Sequence, residues 1–181
     1  GLDGALDFLG VGGGLEGLVP AGSGLDDIID LFPSGTDANQ MYGEGGDDIL
    51  IGGLSDNTMY GDYDHDYDPL TDTDGAPGND ILVGGLGAEN KMFGGEGEDL
   101  LIGGAFSTGS NWMYGGADAD LLIGGAYSGN HMFGEGGNDL LIGGLESTNE
   151  MYGDEGEDLL TGGLNSDNTM SGGLDNDLLI G

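Results

Sequence analysis

Short apolar runs recur along most of the chain at regular spacing, and each is bounded by glycine. One kind of run is Leu-Leu-Ile or a close variant, and the other is a methionine usually followed by an aromatic residue. Both runs are too short for helices but suit short β-strands. The last three intervals between methionines are 19 residues each, and the earlier ones are 18, 33 and 21. Paired short strands repeating at such a period predict a solenoid.

The repeating unit has two halves, and each half is a glycine-rich turn followed by a strand of about three residues. We therefore predict an all-β fold, a parallel β-roll or β-solenoid of about seven to eight coils of roughly 19 residues. Side chains alternate along a strand, so the middle residue of each triplet points inward. The predicted core has a leucine layer (Leu50, Leu82, Leu101, Leu122, Leu141, Leu160, Leu179) and a methionine layer (Met41, Met59, Met92, Met113, Met132, Met151, Met170).

The chain divides into a less regular N-terminal part and a regular roll. We interpret residues 1–38 as a capping or subunit-contact segment with one degenerate coil, in which Asp26 is a candidate metal ligand. Residues 39–181 form the roll, with an acidic insertion at 61–74. The last residues, 178–181, read as the final strand of a coil. This predicts either a fragment of a longer protein or an end covered by the next subunit, and contacts of the second kind build filaments.

Composition and charge remove several classes of function. The chain has 44 Gly, 35 acidic residues, one basic residue (Lys91) and no Cys, and its formal net charge is −34. One basic residue is incompatible with nucleic-acid binding, and no apolar run approaches the ~20 residues of a membrane span. Zinc-thiolate sites and disulfides need Cys. The catalytic motifs G-x-S-x-G, P-loop and H-E-x-x-H do not occur, so we expect no enzyme.

An aspartate precedes the leucine strand at a fixed position in one half of the unit. Stacked coils would place these aspartates in a column with about 4.8 Å between neighbours. The column contains Asp48, Asp80, Asp99, Asp120, Asp139, Asp158 and Asp177. Carboxylates so close repel one another, and a hard dication bound by oxygen ligands would remove the repulsion. The competing interpretation is that each aspartate only caps its turn.

This half resembles the nonapeptide G-G-x-G-x-D-x-U-x of the repeats-in-toxin (RTX) family, as in residues 94–102. The resemblance runs from about residue 43 to residue 181. It implies a β-roll that holds Ca²⁺ between neighbouring turns, with backbone carbonyls and the motif aspartate as ligands, and it implies secretion. The turn glycines at ligand positions are Gly43, Gly75, Gly94, Gly97, Gly115, Gly134, Gly153 and Gly172. The fourth-position glycine is replaced by Asp118 and Asp175 in two turns, which suggests weaker sites or additional side-chain ligands.

The other half carries asparagine where the first carries aspartate. These residues are Asn39, Asn57, Asn90, Asn111, Asn130, Asn149 and Asn168. Because an amide both donates and accepts hydrogen bonds, a stacked amide ladder is expected. We predict Ca²⁺ along one edge of the roll and a metal-free or weakly occupied edge opposite.

The insertion at 61–74 places Asp62, Asp64, Asp66 and Asp68 at alternate positions. An extended segment would direct all four to one face. Two interpretations stay open, a solvated acidic loop and an additional Ca²⁺ site that orders the loop.

The function expected from these features is that of a secreted, calcium-stabilised structural protein. It would be a subunit of an extracellular filament, matrix or surface layer that assembles by end-to-end and lateral contacts into a homopolymer. Alternation places aliphatic and aromatic stripes on the outer faces, and such patches usually mark contacts. The alternative is an RTX repeat module of a larger type I-secreted enzyme, toxin or adhesin. Ice binding is disfavoured because Thr holds no fixed coil position.

Overall fold

The computed structural model describes residues 28–30, 38–43, 45–62 and 77–181, with side chains described from residue 38 onward. These residues form fifteen strands and no helix. The odd-numbered strands are β1 (Ile28–Asp30), β3 (Ile49–Ile51), β5 (Ile81–Val83), β7 (Leu100–Ile102), β9 (Leu121–Ile123), β11 (Leu140–Ile142), β13 (Leu159–Thr161) and β15 (Leu178–Ile180). The even-numbered strands are β2 (Asn39–Tyr42), β4 (Asn57–Tyr60), β6 (Asn90–Glu96), β8 (Ser110–Ala117), β10 (Gly129–Gly136), β12 (Thr148–Glu155) and β14 (Asp167–Leu174).

The odd and even strands form two separate parallel sheets. The leucine sheet runs in the order β1-β3-β5-β7-β9-β11-β13-β15, and the methionine sheet in the order β2-β4-β6-β8-β10-β12-β14. Each strand pairs with the equivalent strand of the next coil, so the chain winds into about seven coils with two strands in each. The predicted parallel β-solenoid is confirmed.

The core lies between the two sheets and is formed by the residues predicted from strand alternation. In-register pairing sets Met132 opposite Met151 and Leu141 opposite Leu160. Twelve apolar side chains of the described residues are at most 1% exposed. They are Met41, Leu50, Met59, Leu82, Met92, Leu101, Met113, Leu122, Met132, Leu141, Met151 and Leu160. Burying each contributes about 1.5–3 kcal/mol, and one coil supplies only two such residues, so each coil needs its neighbours.

The last coil is less buried than the others. Leu179 is 41% exposed, and Met170 is only partly buried against the core. In this structure that coil packs against a neighbour on one side only.

The methionine strands are longer than the three residues predicted. Strands β8, β10, β12 and β14 have eight residues each. The register continues from the asparagine through the methionine into the glycine-rich turn, as in Glu135 opposite Asp154 and Gly136 opposite Glu155. Coil-to-coil stacking therefore orders part of each turn as strand, which a count of apolar residues does not reveal.

The outer faces of the sheets are partly covered by their own neighbours. On the methionine sheet, successive aromatic rings stack with centroids 4.9–5.2 Å apart and planes 5–7° from parallel. This ladder contains Tyr42, Tyr60, Phe93, Tyr114, Phe133 and Tyr152. Across the described part of the chain there is no helix that is long and apolar enough to span a membrane.

Candidate calcium edge

The turns that precede the leucine strands form one edge of the roll, which we call the Asp edge. Its aspartates stack as predicted, and from Asp80 onward each Oδ1 accepts a hydrogen bond from the backbone N–H of the aspartate one coil earlier. The N–H of Asp99, for example, donates to Asp120 Oδ1 at 2.8 Å. Six such bonds of 2.7–3.1 Å join Asp48, Asp80, Asp99, Asp120, Asp139, Asp158 and Asp177 into one column.

In five of these residues the second carboxylate oxygen has no such donor. The Oδ2 atoms of five of these residues are buried and receive no hydrogen bond; they are Asp80, Asp99, Asp120, Asp139 and Asp158. Each faces the first glycine of its own turn. A Cβ on Gly115 would overlap both Asp120 Oδ2 and the carbonyl oxygen of Gly134 in the next coil. The glycine thus keeps open a space into which two acceptor oxygens converge, and two acceptors without a donor require a proton or a cation.

Burial makes the charged form of this column unfavourable. Burial, followed by the charges of neighbouring aspartates, raises the pKa of Asp99 to about 8 and that of Asp80 and Asp120 to about 7. The pKa of Asp139 rises to about 6, and that of Asp158 is also raised, again mainly by burial. Without a bound cation, the edge must therefore hold protons at neutral pH or tolerate poorly solvated charges.

Most predicted turn glycines lie at the start of a turn, facing the aspartate. Gly43, Gly94, Gly115, Gly134, Gly153 and Gly172 all have this arrangement. Gly97 takes the fourth position with a φ of +114°, and a Cβ there would overlap the carbonyl oxygen of Gly78. Absence of a Cβ at this position therefore lets the backbones of adjacent turns approach.

The turn that contains Asp80 differs from the sequence-based interpretation. Gly61 occupies the first position, because a Cβ there would overlap Asp80 Oδ2 and the carbonyl oxygen of Gly94. Sequence reasoning missed Gly61 because it counted back from Asp80 to Gly75, whereas the insertion lies between the first and later positions of the turn. Gly75 itself lies outside the described residues.

Asp62 follows Gly61 and joins two turns through its carboxylate. Its Oδ1 accepts the N–H of Gly78 at 3.1 Å, and its Oδ2 accepts the N–H of Glu96 at 2.8 Å. Burial raises its pKa. The other candidate ligands of the insertion, Asp64, Asp66 and Asp68, lie outside the described residues, as does Asp26.

The two turns that lack the fourth glycine keep a positive φ at this position. Asp118 and Asp175 adopt φ values of 74° and 72°, in the left-handed region. Such a conformation costs a residue with a Cβ roughly 1–2 kcal/mol. Stacking with the neighbouring turns therefore overrides the local preference of aspartate.

The opposite edge, formed by the turns before the methionine strands, is here called the Asn edge. Asn130 is fully paired: Nδ2 donates to Asn149 Oδ1 at 2.8 Å and to Gly125 O at 2.9 Å. Its Oδ1 accepts Asn111 Nδ2 at 2.8 Å and the Gly125 N–H at 2.9 Å. The predicted amide ladder is present, with six bonds joining Asn39, Asn57, Asn90, Asn111, Asn130, Asn149 and Asn168.

A serine column beside the amide ladder was not predicted. Ser128 Oγ accepts the N–H of Ser107 at 3.0 Å and donates to Gly104 O at 3.1 Å. Ser147 and Ser166 continue the pattern. A serine two residues before Asn130, Asn149 and Asn168 is the feature of the sequence that could have revealed it.

Side chains alone do not complete a metal site in this structure. The described residues contain no group of three or more His, Cys, Asp or Glu side chains arranged to hold a metal ion. A cation on the Asp edge would therefore take part of its coordination from backbone carbonyls, and the glycine positions bring such carbonyls beside each Oδ2.

The fold and this edge define a class, the parallel β-roll whose glycine-rich turns carry a column of buried aspartates. The chain matches the RTX calcium-binding nonapeptide repeat over residues 34–67, 74–107, 93–126, 129–147 and 145–179. These matches cover well over half of the chain, so the protein belongs to the family of RTX calcium-binding repeat proteins, whose repeats bind Ca²⁺. No curated protein and no solved structure matches the chain.

Proposed function

We propose that the protein is an extracellular structural element whose roll becomes complete only when Ca²⁺ occupies the Asp edge. The observation that carries this proposal is the set of buried Oδ2 atoms without donors at Asp80, Asp99, Asp120, Asp139 and Asp158. A hard cation that prefers oxygen ligands is the partner such atoms require.

The proposed ligands are the motif aspartates and the carbonyl groups of the turn glycines. Ca²⁺ bound between neighbouring turns would draw on Asp48, Asp80, Asp99, Asp120, Asp139, Asp158 and Asp177, and on Gly43, Gly94, Gly97, Gly115, Gly134, Gly153 and Gly172. Gly61 joins this set because it faces Asp80 Oδ2. Gly75, Asp26, Asp64, Asp66 and Asp68 stay proposed ligands from the sequence. Both oxygens of Asp62 accept backbone N–H groups, which favours an anchoring role for this residue over ligation.

Charge makes folding dependent on calcium. The formal net charge is −34, and six ions between seven aspartates would reduce it to about −22. Without Ca²⁺ the column must pay for desolvation and mutual repulsion. RTX repeat proteins are typically secreted. A chain that stays unfolded at low Ca²⁺ and folds at the higher Ca²⁺ outside the cell suits export followed by folding.

Self-association into a filament, matrix or surface layer is the second part of the proposal. Its support is the row of aliphatic side chains on the outer face of the leucine sheet, such as Ile81, Leu100 and Leu121, which are only half-buried. Continuous apolar rows of this length commonly mark contacts between proteins. The alternative is that the roll serves as the calcium-binding module of a larger secreted enzyme, toxin or adhesin.

A calcium titration of metal-stripped protein at pH 7.5 tests the first part. Circular dichroism should change from a disordered spectrum to a β spectrum as Ca²⁺ rises, while Mg²⁺ at equal concentration should have little effect, because its small octahedral shell fits carbonyl-rich sites poorly. A full β spectrum in metal-stripped protein would contradict the proposal. Electron microscopy of the Ca²⁺-loaded protein tests the second part, and compact single particles would favour the module alternative.

A further inference from the structure

Each turn of the Asn edge presents one large apolar side chain to solvent. These side chains are 40–72% exposed, and the six described turns each supply one. They are Leu54, Leu86, Phe106, Tyr127, Leu145 and Leu164, and together we call them the apolar ridge. They lie outside the core, so packing within the coil does not account for their apolar character.

The ridge is maintained even where the sequence of the turn changes. In four turns a leucine directly follows the two glycines, whereas Ala105 and Ala126 take that place in the other two. There the next residue supplies the large side chain, and Phe106 and Tyr127 adopt left-handed φ values of 57° and 55°. Aromatic residues rarely adopt this conformation. The two rings stack with centroids 5.0 Å apart, so these two turns also carry a large apolar side chain, one position later than in the leucine turns.

Hydrogen bonds between turns hold the ridge in register. The N–H groups of Gly87, Phe106 and Tyr127 donate to carbonyl oxygens in the following turn at 2.9–3.0 Å. The turns that carry Leu86, Phe106, Tyr127, Leu145 and Leu164 therefore repeat at the spacing of the strands, about 4.8 Å.

Charge is distributed very unequally between the two edges. Among the described residues, the turns of the Asp edge contain seventeen acidic residues and those of the Asn edge contain four, Asp56, Glu89, Glu146 and Asp167. Two copies of a chain with a net charge of −34 repel strongly. Before Ca²⁺ offsets the charge of the Asp edge, the Asn edge is where two copies can approach with the least repulsion, and the exposed apolar surface lies on that same edge.

We propose that two copies of the chain associate side by side through their apolar ridges, with Asn edge against Asn edge. This rests on the self-association proposed above and adds a second contact surface to the outer face of the leucine sheet, through which such dimers would join into a larger assembly. A ridge with a repeat of about 4.8 Å interdigitates best with a ridge of the same repeat, which a second copy provides. The pairing is isologous and closes as a dimer. The six side chains offer roughly 600 Å² of apolar surface per copy, near the ~800 Å² per partner of a standard interface.

Sedimentation equilibrium of the Ca²⁺-loaded protein tests the proposal. The double variant Leu86→Glu/Leu145→Glu should weaken dimerisation at least 10-fold, because it buries four carboxylates in each dimer. A matched pair in the last coil gives the control: Leu164→Glu lies on the ridge, whereas Leu174→Glu alters an equally exposed leucine on the Asp edge. Only Leu164→Glu should weaken association, and melting of each variant in Ca²⁺ should match that of the parent.

Pyrene labelling gives a second test that does not disturb the ridge. The chain has no cysteine, so one can be introduced at exposed Thr148 on the Asn edge or at exposed Ala117 on the Asp edge. Excimer fluorescence is expected from the first label and not from the second. A wild-type protein that stays monomeric in Ca²⁺ would overturn the ridge together with the proposed self-association. Association that survives the ridge variants, or excimer from Ala117→Cys alone, would overturn the ridge and leave self-association standing.

Discussion

Both edges of the roll stack one buried polar side chain in every coil. The Asn edge uses asparagine and the Asp edge uses aspartate, which has nearly the same shape. On the Asn edge, Asn130 makes all four hydrogen bonds its amide can form. On the Asp edge, Asp120 Oδ1 accepts the N–H of Asp99 while Oδ2 is buried without a donor. An amide donates and accepts, so a column of amides completes itself. A carboxylate only accepts, so its column depends on a proton or a cation.

The largest expected effect is that of pH on the metal-free roll, which separates the two edges directly. In the folded state the pKa values of Asp80, Asp99, Asp120 and Asp139 are raised to about 6–8, against about 3.9 in an unfolded chain. The folded state then binds more protons, so the free energy of unfolding falls as pH rises. This stabilisation is complete below about pH 4 and is lost as pH rises through about 6–8. Metal-stripped protein should therefore show β structure near pH 4 and lose it by pH 8.

Calcium should reverse this dependence, because it binds the deprotonated carboxylates. Calorimetry of Ca²⁺ binding in buffers with different ionisation enthalpies should report protons released at pH 7. The observation that would count against this account is a metal-free roll equally stable at pH 4 and pH 8, or Ca²⁺ binding without proton release.

The next largest effect is expected from placing a carboxylate in the amide ladder. In Asn111→Asp the new oxygen would face Asn130 Oδ1 and Gly104 O, which now accept hydrogen bonds from Asn111 Nδ2 at 2.8 and 2.9 Å. Loss of both donors at a fully buried site should lower the free energy of unfolding by about 3–5 kcal/mol. Chemical denaturation in saturating Ca²⁺ measures it. Asn165→Asp, an exposed change on the same edge, should alter stability by about 0.5 kcal/mol or less.

An Asn111→Asp variant as stable as the parent would mean that the Asn edge tolerates carboxylates. If its stability returned only with additional Ca²⁺, the Asn edge would be a second metal edge, and the distinction between the edges would fail.

Much of the difference between the Asp edge and the Asn edge could be predicted from the sequence, because the residues that cause it recur at fixed positions of the repeat. Strand alternation correctly placed Leu141 and Met132 in the core, and the fixed position of asparagine correctly predicted the ladder through Asn130. These predictions worked because parallel in-register stacking sets every residue beside its equivalent one coil away. The period of the sequence therefore predicts which residues contact each other in the folded roll.

Features that depend on backbone conformation could not be predicted in this way. Gly61 was missed because an insertion separates it from Asp80, and only the path of the chain shows that it faces the Asp80 carboxylate. The left-handed conformations of Phe106 and Tyr127 were not expected because local preference disfavours them. Stacking between neighbouring turns determines both the position of Gly61 and these two backbone conformations. A single repeat considered alone contains no such contacts between turns.

The converse substitution, Asp120→Asn, should convert one position of the Asp edge to the chemistry of the Asn edge. Its Oδ1 would keep the 2.8 Å bond from the Asp99 N–H, and its new amide would face the Gly134 carbonyl oxygen, to which it can donate. We expect the metal-free roll to gain about 1–3 kcal/mol at high pH by loss of a buried charge, and therefore to keep its β structure to a higher pH than the parent. In saturating Ca²⁺ the variant should instead be less stable than the parent and should bind fewer ions.

The change of sign between the two conditions is the decisive measurement for Asp120→Asn. The pH midpoint of unfolding gives the metal-free value and urea unfolding in saturating Ca²⁺ gives the other. Glu98→Gln, an exposed change in an Asp-edge turn, serves as the control with little effect in either. A loss of stability under both conditions would show that Oδ2 acts only as a structural acceptor.

The smallest predicted effect concerns the serine column, which the Asp edge does not match. Ser147 Oγ donates to Gly125 O at 3.0 Å and accepts the N–H of Ser128 at 3.3 Å. Ser147→Ala should lower the free energy of unfolding by about 1–2 kcal/mol, because the Ser128 N–H loses its acceptor, while Gly125 O keeps the bond from Asn130 Nδ2. The loss should be the same at every Ca²⁺ concentration at which the roll is folded, since this edge completes its own hydrogen bonds.

Ser171→Ala, an exposed change on the methionine sheet, should have almost no effect. A loss that grew as Ca²⁺ was withdrawn would show that the two edges are energetically coupled through the thin core, and the independence argued from their hydrogen bonds would then be wrong.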